Sequence, residues 1–140
     1  FTIDYATKIS KEYPNISYKC IDIFSDSFSQ LNYDIVLCTL TLHHFKNNQI
    51  DYLIQLFSQQ AKIGIVINDL HRNRIAYGAF QLICFVFKLN RMSKEDGLIS
   101  ILRGFKKQEL ISFSERNKLK EYTIQWKWAF RYQWIVRSQN

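Results

Sequence analysis

The chain has 140 residues, of which 47% are hydrophobic and 22% are charged, with four glycines and one proline. These values exclude general disorder, argue against a turn-rich all-β sandwich, and fit one domain with a core. The formal charge of +7 is uneven: residues 1–70 hold five Lys/Arg and seven acids (−2), whereas residues 71–140 hold fourteen and five (+9). That asymmetry leaves nucleic acid or an acidic membrane open as partners, although the scattered cations favour a solvated basic face.

Two further features concern the origin of the chain. Phe1 is not followed by the basic and apolar segments of a secretory signal, and we expect a chain truncated at its N-terminus. Cys20, Cys38 and Cys84 lie in apolar surroundings without metal-ligand spacing. They predict reduced, buried thiols in a cytoplasmic protein.

The first elements alternate between helix and strand. A helix is predicted over 4–13, because Pro14 cannot continue it. Alternating apolar and polar residues over 15–21 predict a strand, and the serine-rich stretch 25–29 predicts a loop or a short helix. The run 34–40 is apolar nearly throughout, which predicts a strand buried on both faces.

The alternation continues through the middle of the chain. A helix capped by Asn47 and ending near Ala61 is predicted from apolar residues that recur three and four positions apart. The β-branched run 63–67 predicts a third strand. Residues 75–89 are apolar almost all round but fall short of the roughly 20 residues of a spanning helix. We expect a buried or lid helix there; the alternative is a helix lying in a membrane surface.

The last third completes an α/β fold. It predicts a polar connector over 90–104, a helix over 106–117, and antiparallel strands over 121–127 and 130–137 joined by a tight turn. The whole order predicts a single domain: a mostly parallel sheet covered by helices, with an antiparallel strand at one edge.

Four segments carry a family resemblance, and they occur in this order: YPNISYKCIDIF (Tyr13–Phe24), YDIVLCTLTLHHF (Tyr33–Phe45), GIVINDLHR (Gly64–Arg72) and DGLISILRGFKKQEL (Asp96–Leu110). The first three resemble the third, fourth and fifth strands, with their exits, of class I S-adenosylmethionine-dependent methyltransferases. The last, following an NDLHR exit and an apolar helix, is similar to a bacterial subgroup of small methyltransferases. The resemblance implies a Rossmann-like sheet with the strand order 3-2-1-4-5-7-6.

The sequence also departs from that family. The glycine-rich loop after the first strand (E/D-x-G-x-G) and the acidic residue after the second strand are absent from the sequence. Residues 1–140 are therefore expected to form a single partial methyltransferase domain, from the third to the seventh strand, with the first two strands missing. We expect this fragment to bind S-adenosylmethionine poorly, and the complete protein to bind it well.

The resemblance implies a set of cofactor contacts after the third and fourth strands. The implied residues are Asp22, Ile23, Cys38, Thr39, Leu40 and His43. For Asp22 the alternative role is to cap a turn, and for Cys38 it is packing. His43 and His44 should point to different sides of their element, and a structural or positioning role is favoured over catalysis for this pair.

The acceptor side of the site is expected beyond the fifth strand. If the acceptor is a phenol or an enol, His71 oriented by Asp69 is the predicted catalytic base. The alternative is that Asp69 caps the next helix and His71 lies on the surface. His44, Arg72 and Arg103 are the predicted substrate-binding residues, with Asp96 as an alternative partner for Arg103.

His43, His44, Asp69 and His71 are residue types that can bind a metal, but no metal is expected. Metal-dependent methyltransferases of this fold use carboxylates and an amide, with an acid where Cys38 and Thr39 stand.

The sequence thus predicts the C-terminal part of a cytoplasmic enzyme that methylates a hydrophobic small molecule, with O-methylation slightly preferred. No nucleic acid partner is expected, and peripheral membrane contact stays open. The alternative function is a non-catalytic basic module that binds nucleic acid or an anionic membrane. The enzyme prediction requires the polar groups after Ile21, Leu37 and Ile67 to meet at one edge of the sheet.

Overall fold

The computed structural model describes residues 2–138. The chain divides into two compact units, Phe1–Leu31 and Asn32–Asn140. The second unit contains the sheet and most of the residues implicated in chemistry.

The first unit consists of two helices and the irregular segment between them. Helix α1 is Thr2–Ile9 and helix α2 is Asp26–Ser29. The predicted strand over 15–21 is wrong, because no strand occurs among the described residues of this unit. Alternation suits a strand, but a strand also needs a neighbour for its backbone N–H and C=O groups. Without that strand Cys20 is exposed, which corrects its predicted burial.

The second unit is organised by a four-stranded sheet. The strands are β1 (Tyr33–Thr39), β2 (Ala61–Leu70), β3 (Tyr122–Lys127) and β4 (Arg131–Arg137), in the spatial order β1-β2-β4-β3. Strands β1 and β2 pair in parallel, and β4 pairs antiparallel with both of its neighbours. The α/β class is confirmed, and the order corresponds to the 4-5-7-6 part of the implied sheet.

An antiparallel strand was expected at the edge of the sheet. The antiparallel strand is β4, and it lies next to the edge strand β3. Strand β3 runs in the same direction as β1 and β2, and the tight turn after Lys127 folds β4 back between β2 and β3. The predicted antiparallel hairpin is therefore confirmed, with β3 at the edge of the sheet.

Four helices and a 3₁₀ turn complete this unit: the 3₁₀ turn Leu42–His44, α3 (Asn47–Gln60), α4 (Arg74–Val86), α5 (Arg91–Arg103) and α6 (Lys107–Arg116). The residue that caps α3 is Lys46 rather than Asn47, and its N–H donates to Gln49 Oε1 at 3.0 Å. The predicted connector over 90–104 is wrong, because α5 occupies most of it. The Asn90 side chain begins α5 by accepting from the Ser93 N–H at 2.8 Å.

One face of the sheet carries the core. Helix α3 packs on β1 and β2, and α6 packs on β3. Strand alternation brings Ile65, Ile67 and Asp69 of β2 to this side, where all three are buried. On the opposite side Leu37 of β1 is 70% exposed. The prediction that β1 is buried on both faces is therefore wrong, because α3 covers one face of β1 and Leu37 on the other face is exposed.

Gly64 fixes the position of β2 against β4. A Cβ atom at this residue would lie 2.4 Å from the carbonyl oxygen of Val136, a backbone atom that cannot rotate away. Only glycine therefore fits where β2 passes that carbonyl.

Helix α4 is far more exposed than its composition suggests. Among its residues only Ala76 and Cys84 are buried, whereas Phe85 is 80% exposed. The predicted burial of this segment is therefore wrong. No helix within residues 2–138 is both long enough and apolar enough to cross a membrane.

Candidate functional site

The carboxyl ends of β1 and β2 lie at one edge of the sheet because the two strands are parallel and in register, with Thr39 beside Asn68. After β1 the chain turns at Leu40, whose φ is 51° and whose N–H donates to the Asn68 carbonyl at 2.9 Å. This turn leads directly into the 3₁₀ turn Leu42–His44. Asp69 lies within β2 rather than beyond it, so it faces that turn from the neighbouring strand.

The Asp69 carboxylate organises this edge. It is buried, with 2% of the residue exposed. Its Oδ2 accepts from the backbone N–H groups of Thr41 (3.2 Å), Leu42 (2.8 Å) and His43 (3.3 Å). Its Oδ1 lies 2.6 Å from His43 Nδ1. These contacts satisfy the free N–H groups of the turn and supply the partners that a buried carboxylate requires.

The contact with Asp69 also sets the chemistry of His43. A carboxylate only accepts hydrogen bonds, so His43 Nδ1 carries a proton and donates it. In the neutral ring Nε2 is then the nitrogen with the free lone pair. No described residue bonds to Nε2, and it is not among the fully buried polar atoms. His43 is thus a base held in one orientation by a buried carboxylate.

The two consecutive histidines face differently, as predicted. His43 is buried and His44 is exposed, with ring centroids 4.0 Å apart.

His71 is arranged differently from the prediction. It is not oriented by Asp69, whose side chain is bound to the turn and to His43. The His71 ring lies against Tyr132, with centroids 4.7 Å apart, and its Nδ1 is buried without a partner among the described residues. Burial lowers the pKa of His71, which favours the neutral form of the ring. The alternative, in which Asp69 caps α4, is also wrong, because the Asn73 side chain does so.

A cavity of ≈ 260 Å³ adjoins His43 and brings together three of the predicted site residues: His43, Arg72 and Arg103. Arg72 is paired with Glu109 at 2.5 Å, so its charge is balanced. Arg103 is exposed and makes no ion pair with any described residue, including its predicted alternative partner Asp96. The guanidinium of Arg103 is therefore available to an acidic group.

The sequence also predicted Phe105 near a hydrophobic acceptor and Phe113 on the inner side of its helix, and both line this cavity. Sequence reasoning did not assign roles to other residues of the cavity, including Gln108 and Glu109. One signal for Glu109 was present in the sequence, because it lies three residues after Lys106 and accepts its N–H at 2.7 Å, as in a helix capping arrangement. A larger cavity of ≈ 470 Å³ is lined by Gly64, Lys118 and Ser138 and contains none of the predicted residues.

The predicted cofactor contacts have different surroundings. Cys38 is buried, and burial together with the charge of Asp69 raises the pKa of its thiol to about 11, so the thiol is neutral. The packing role for Cys38 is confirmed. Thr39 and Leu40 are exposed at the end of β1.

Asp22 and Ile23 belong to the first unit. Asp22 Oδ1 accepts from the Phe24 N–H at 2.9 Å, which confirms its alternative role in a turn. The carboxylate remains exposed, and its contact with the cofactor stays a prediction. The carboxyl ends of β1 and β2 lie at one edge of the sheet, as predicted. That the segment after Ile21 also reaches this edge stays a prediction. No group of three or more potential metal ligands occurs among residues 2–138.

No protein-family model and no curated protein matches the sequence. Solved structures do match. An O-methyltransferase family protein from Burkholderia thailandensis has a TM-score of 0.64 at 11% identity, over 96% of this chain and 40% of its own. A candidate O-methyltransferase from Nostoc punctiforme PCC 73102 has a TM-score of 0.61 at 15% identity, over 95% and 39%.

A third similar structure contains a ligand. Magnesium protoporphyrin IX methyltransferase from Synechocystis PCC 6803 with bound SAH has a TM-score of 0.56 at 16% identity, over 97% of this chain and 59% of its own. The chain therefore has the fold of S-adenosylmethionine-dependent methyltransferases, and it spans 39% to 59% of the length of these structures. A shared fold at this identity does not assign a reaction.

Proposed function

We propose that this chain, which has the methyltransferase fold, is the C-terminal part of an enzyme that methylates a hydrophobic small molecule using S-adenosylmethionine. The observation that carries the proposal is the buried Asp69–His43 pair beside a cavity at the carboxyl edge of parallel strands. Ligands of open α/β sheets bind at this edge.

His43 is the proposed catalytic base, in place of His71. When bound, S-adenosylmethionine supplies an activated methyl group whose leaving group is a neutral thioether. His43 Nε2 accepts the proton of an acceptor hydroxyl, and Asp69 stabilises the imidazolium that results. We propose O-methylation, in which the deprotonated hydroxyl oxygen itself takes the methyl group.

The cavity wall suggests the class of acceptor. Phe105 and Phe113 form an edge-to-face pair, with centroids 6.2 Å apart, and supply an apolar surface. Arg103 supplies a positive charge without a described counterion. We propose an aromatic or polyketide-like acceptor with an acidic substituent that pairs with Arg103, while Arg72 is held by Glu109 and His44 contacts the acceptor from the exposed side.

The chain's own residues fit only part of the cofactor. The exposed Thr39 and the backbone of Leu40 are available to its methionyl part. The sequence does not contain the glycine-rich loop with which the family it resembles binds the cofactor. The side chain of Cys38 is inside the core and does not take part.

We therefore predict that residues 1–140 alone show no saturable binding of S-adenosylmethionine at micromolar concentrations. Isothermal titration calorimetry measures this directly, with the proposed longer protein as the comparison. Micromolar binding by the 140-residue chain would contradict the prediction.

In that longer protein, His43→Asn is predicted to lower kcat by about 100-fold or more, because the variant lacks the proton acceptor. Asn keeps a donor near Asp69, so the turn should remain intact. Transfer of a labelled methyl group to a phenolic acceptor provides the measurement.

His71→Gln is the comparison for this test and is expected to change kcat by less than about tenfold. Should His71→Gln abolish transfer while His43→Asn does not, the base is His71. Absence of any methyl transfer by the longer protein to a panel of hydroxylated aromatics would count against the proposed function itself.

A further inference from the structure

Helix α4 and the segment after it present a large apolar surface that no described residue covers. Six large apolar residues are each at least 61% exposed: Ile75, Leu82, Phe85, Val86, Phe87 and Met92. Contiguous exposed apolar surface of this kind marks an interaction site in folded proteins. We call Arg74–Lys94 the α4 surface.

The exposed apolar residues share one side of α4. Ile75, Leu82 and Val86 are separated by seven and four positions, which places them in one stripe along a helix. Gly78 lies beside this stripe, and a Cβ atom there would meet nothing within 4 Å. The opposite side of α4 packs on α5, where Gly97 leaves room for the Phe80 ring.

The charged residues around the stripe are mostly basic, although Glu95 and Asp96 follow directly in α5. Residues 70–94 contain five Lys/Arg and no acid. Arg72 and Arg91 are paired with Glu109 and Glu95. The remaining three, Arg74, Lys88 and Lys94, are exposed and make no ion pair within residues 2–138. These cations flank the apolar residues along the chain.

We propose that the α4 surface binds the surface of an anionic lipid bilayer. The apolar stripe enters the boundary between headgroups and acyl chains, and Arg74, Lys88 and Lys94 contact lipid phosphates. Because α4 has 13 residues, it lies in the plane of the interface. Nucleic acid fits less well, since its phosphates would engage the cations and leave the aliphatic side chains in water. This binding does not depend on methyl transfer.

Sedimentation with vesicles tests the proposal using the 140-residue chain. The chain is expected to sediment with vesicles of phosphatidylcholine containing about one third phosphatidylglycerol, and much less with phosphatidylcholine alone. The double variant Leu82→Gln/Val86→Gln should weaken binding by about tenfold or more, because it removes buried aliphatic groups. Lys88→Glu/Lys94→Glu should also weaken it by about tenfold or more.

Matched controls lie elsewhere on the same chain. Trp128 is 87% exposed in the turn between β3 and β4. Trp128→Gln therefore removes an exposed apolar side chain that lies outside the α4 surface. Lys120→Glu/Lys127→Glu makes the same change of charge as Lys88→Glu/Lys94→Glu, but outside the α4 surface. Both controls should leave vesicle binding unchanged, and circular dichroism should show that all variants are folded.

Three results would overturn the proposal. The first is no sedimentation with anionic vesicles, or sedimentation that Leu82→Gln/Val86→Gln does not reduce. The second is salt-sensitive binding to unrelated DNA that is lost in Lys88→Glu/Lys94→Glu and kept in Leu82→Gln/Val86→Gln, with no vesicle binding. The third is a dimer in the absence of lipid that Leu82→Gln/Val86→Gln converts to a monomer, which would assign the surface to a second copy of the chain.

Discussion

Replacing Asp69 with alanine is expected to lower the free energy of unfolding by about 3–5 kcal/mol. The substitution removes the acceptor of three backbone N–H groups and of the His43 ring, most of which are buried. Unsatisfied buried donors carry their full desolvation cost, and several are created at once. This single carboxylate therefore stabilises the turn that holds the proposed base.

Urea denaturation followed by circular dichroism provides the measurement. The matched control is Asp34→Ala, because Asp34 pairs with Lys62 at 3.3 Å while its side chain is 73% exposed. Exposed pairs contribute little, so this control should change stability by less than about 1 kcal/mol. Equal losses in the two variants would mean that the Asp69 network does not stabilise the fold. Asp69→Asn should lie between them, because an amide oxygen still accepts from the backbone.

Replacing Trp134 with alanine is expected to cost about 3–5 kcal/mol of stability as well. Trp134 is the largest fully buried side chain and lies in β4 opposite Ile67 of β2. Truncation to alanine removes the apolar contacts of the ring and leaves a cavity that the strands and helices around it cannot fill.

Two further tryptophan substitutions separate the causes. Trp128→Ala removes the same side chain from an exposed turn and should change stability by less than about 0.5 kcal/mol. Trp134→Phe should cost less than Trp134→Ala, because phenylalanine keeps most of the ring volume and leaves a smaller cavity. The indole N–H has no partner among the described residues, so its removal breaks no hydrogen bond in either variant. If Trp134→Ala were as mild as Trp128→Ala, the packing described around β4 would be incorrect.

Local patterns predicted most elements of the second unit. The apolar run that became β1, the helical spacing of α3 and the β3–β4 hairpin all depend on neighbours close in sequence, and all three formed. The predicted strand over 15–21 failed for a different reason. Pairing is a property of two segments, and alternation within one segment does not reveal whether a partner is beside it.

The sequence placed the candidate site at the carboxyl ends of β1 and β2, but it paired Asp69 with the wrong histidine. That His43 and His44 point to different sides follows from their adjacency in sequence, and it was predicted. Which of the two is buried was not predicted. Asp69 was assigned to His71, two residues away, whereas its partner is 26 residues earlier. Three N–H groups of the turn attract the carboxylate, and such a cluster of donors becomes visible only when β1 and β2 are adjacent.

Helix α4 shows the limit of composition as a guide to burial. A helix that is apolar all round is usually buried. Residues such as Leu82 and Phe85 satisfy that rule in sequence, yet nothing described lies over them. Apolarity indicates that a surface is unfavourable in water without identifying what covers it.

The contact of Gly64 with the Val136 carbonyl has a consequence for how this protein can change over generations. Ile65, Ile67 and Asp69 follow at alternate positions of β2. The same strand therefore supplies two core residues and the Asp69 carboxylate, and its register with β4 is continuous from Gly64 to Asp69. Losing or gaining one amino acid between Gly64 and Asp69 would rotate that carboxylate to the far side of the layer and detach it from His43. In descendants the number of residues between Gly64 and Asp69 is therefore as constrained as these two residues themselves.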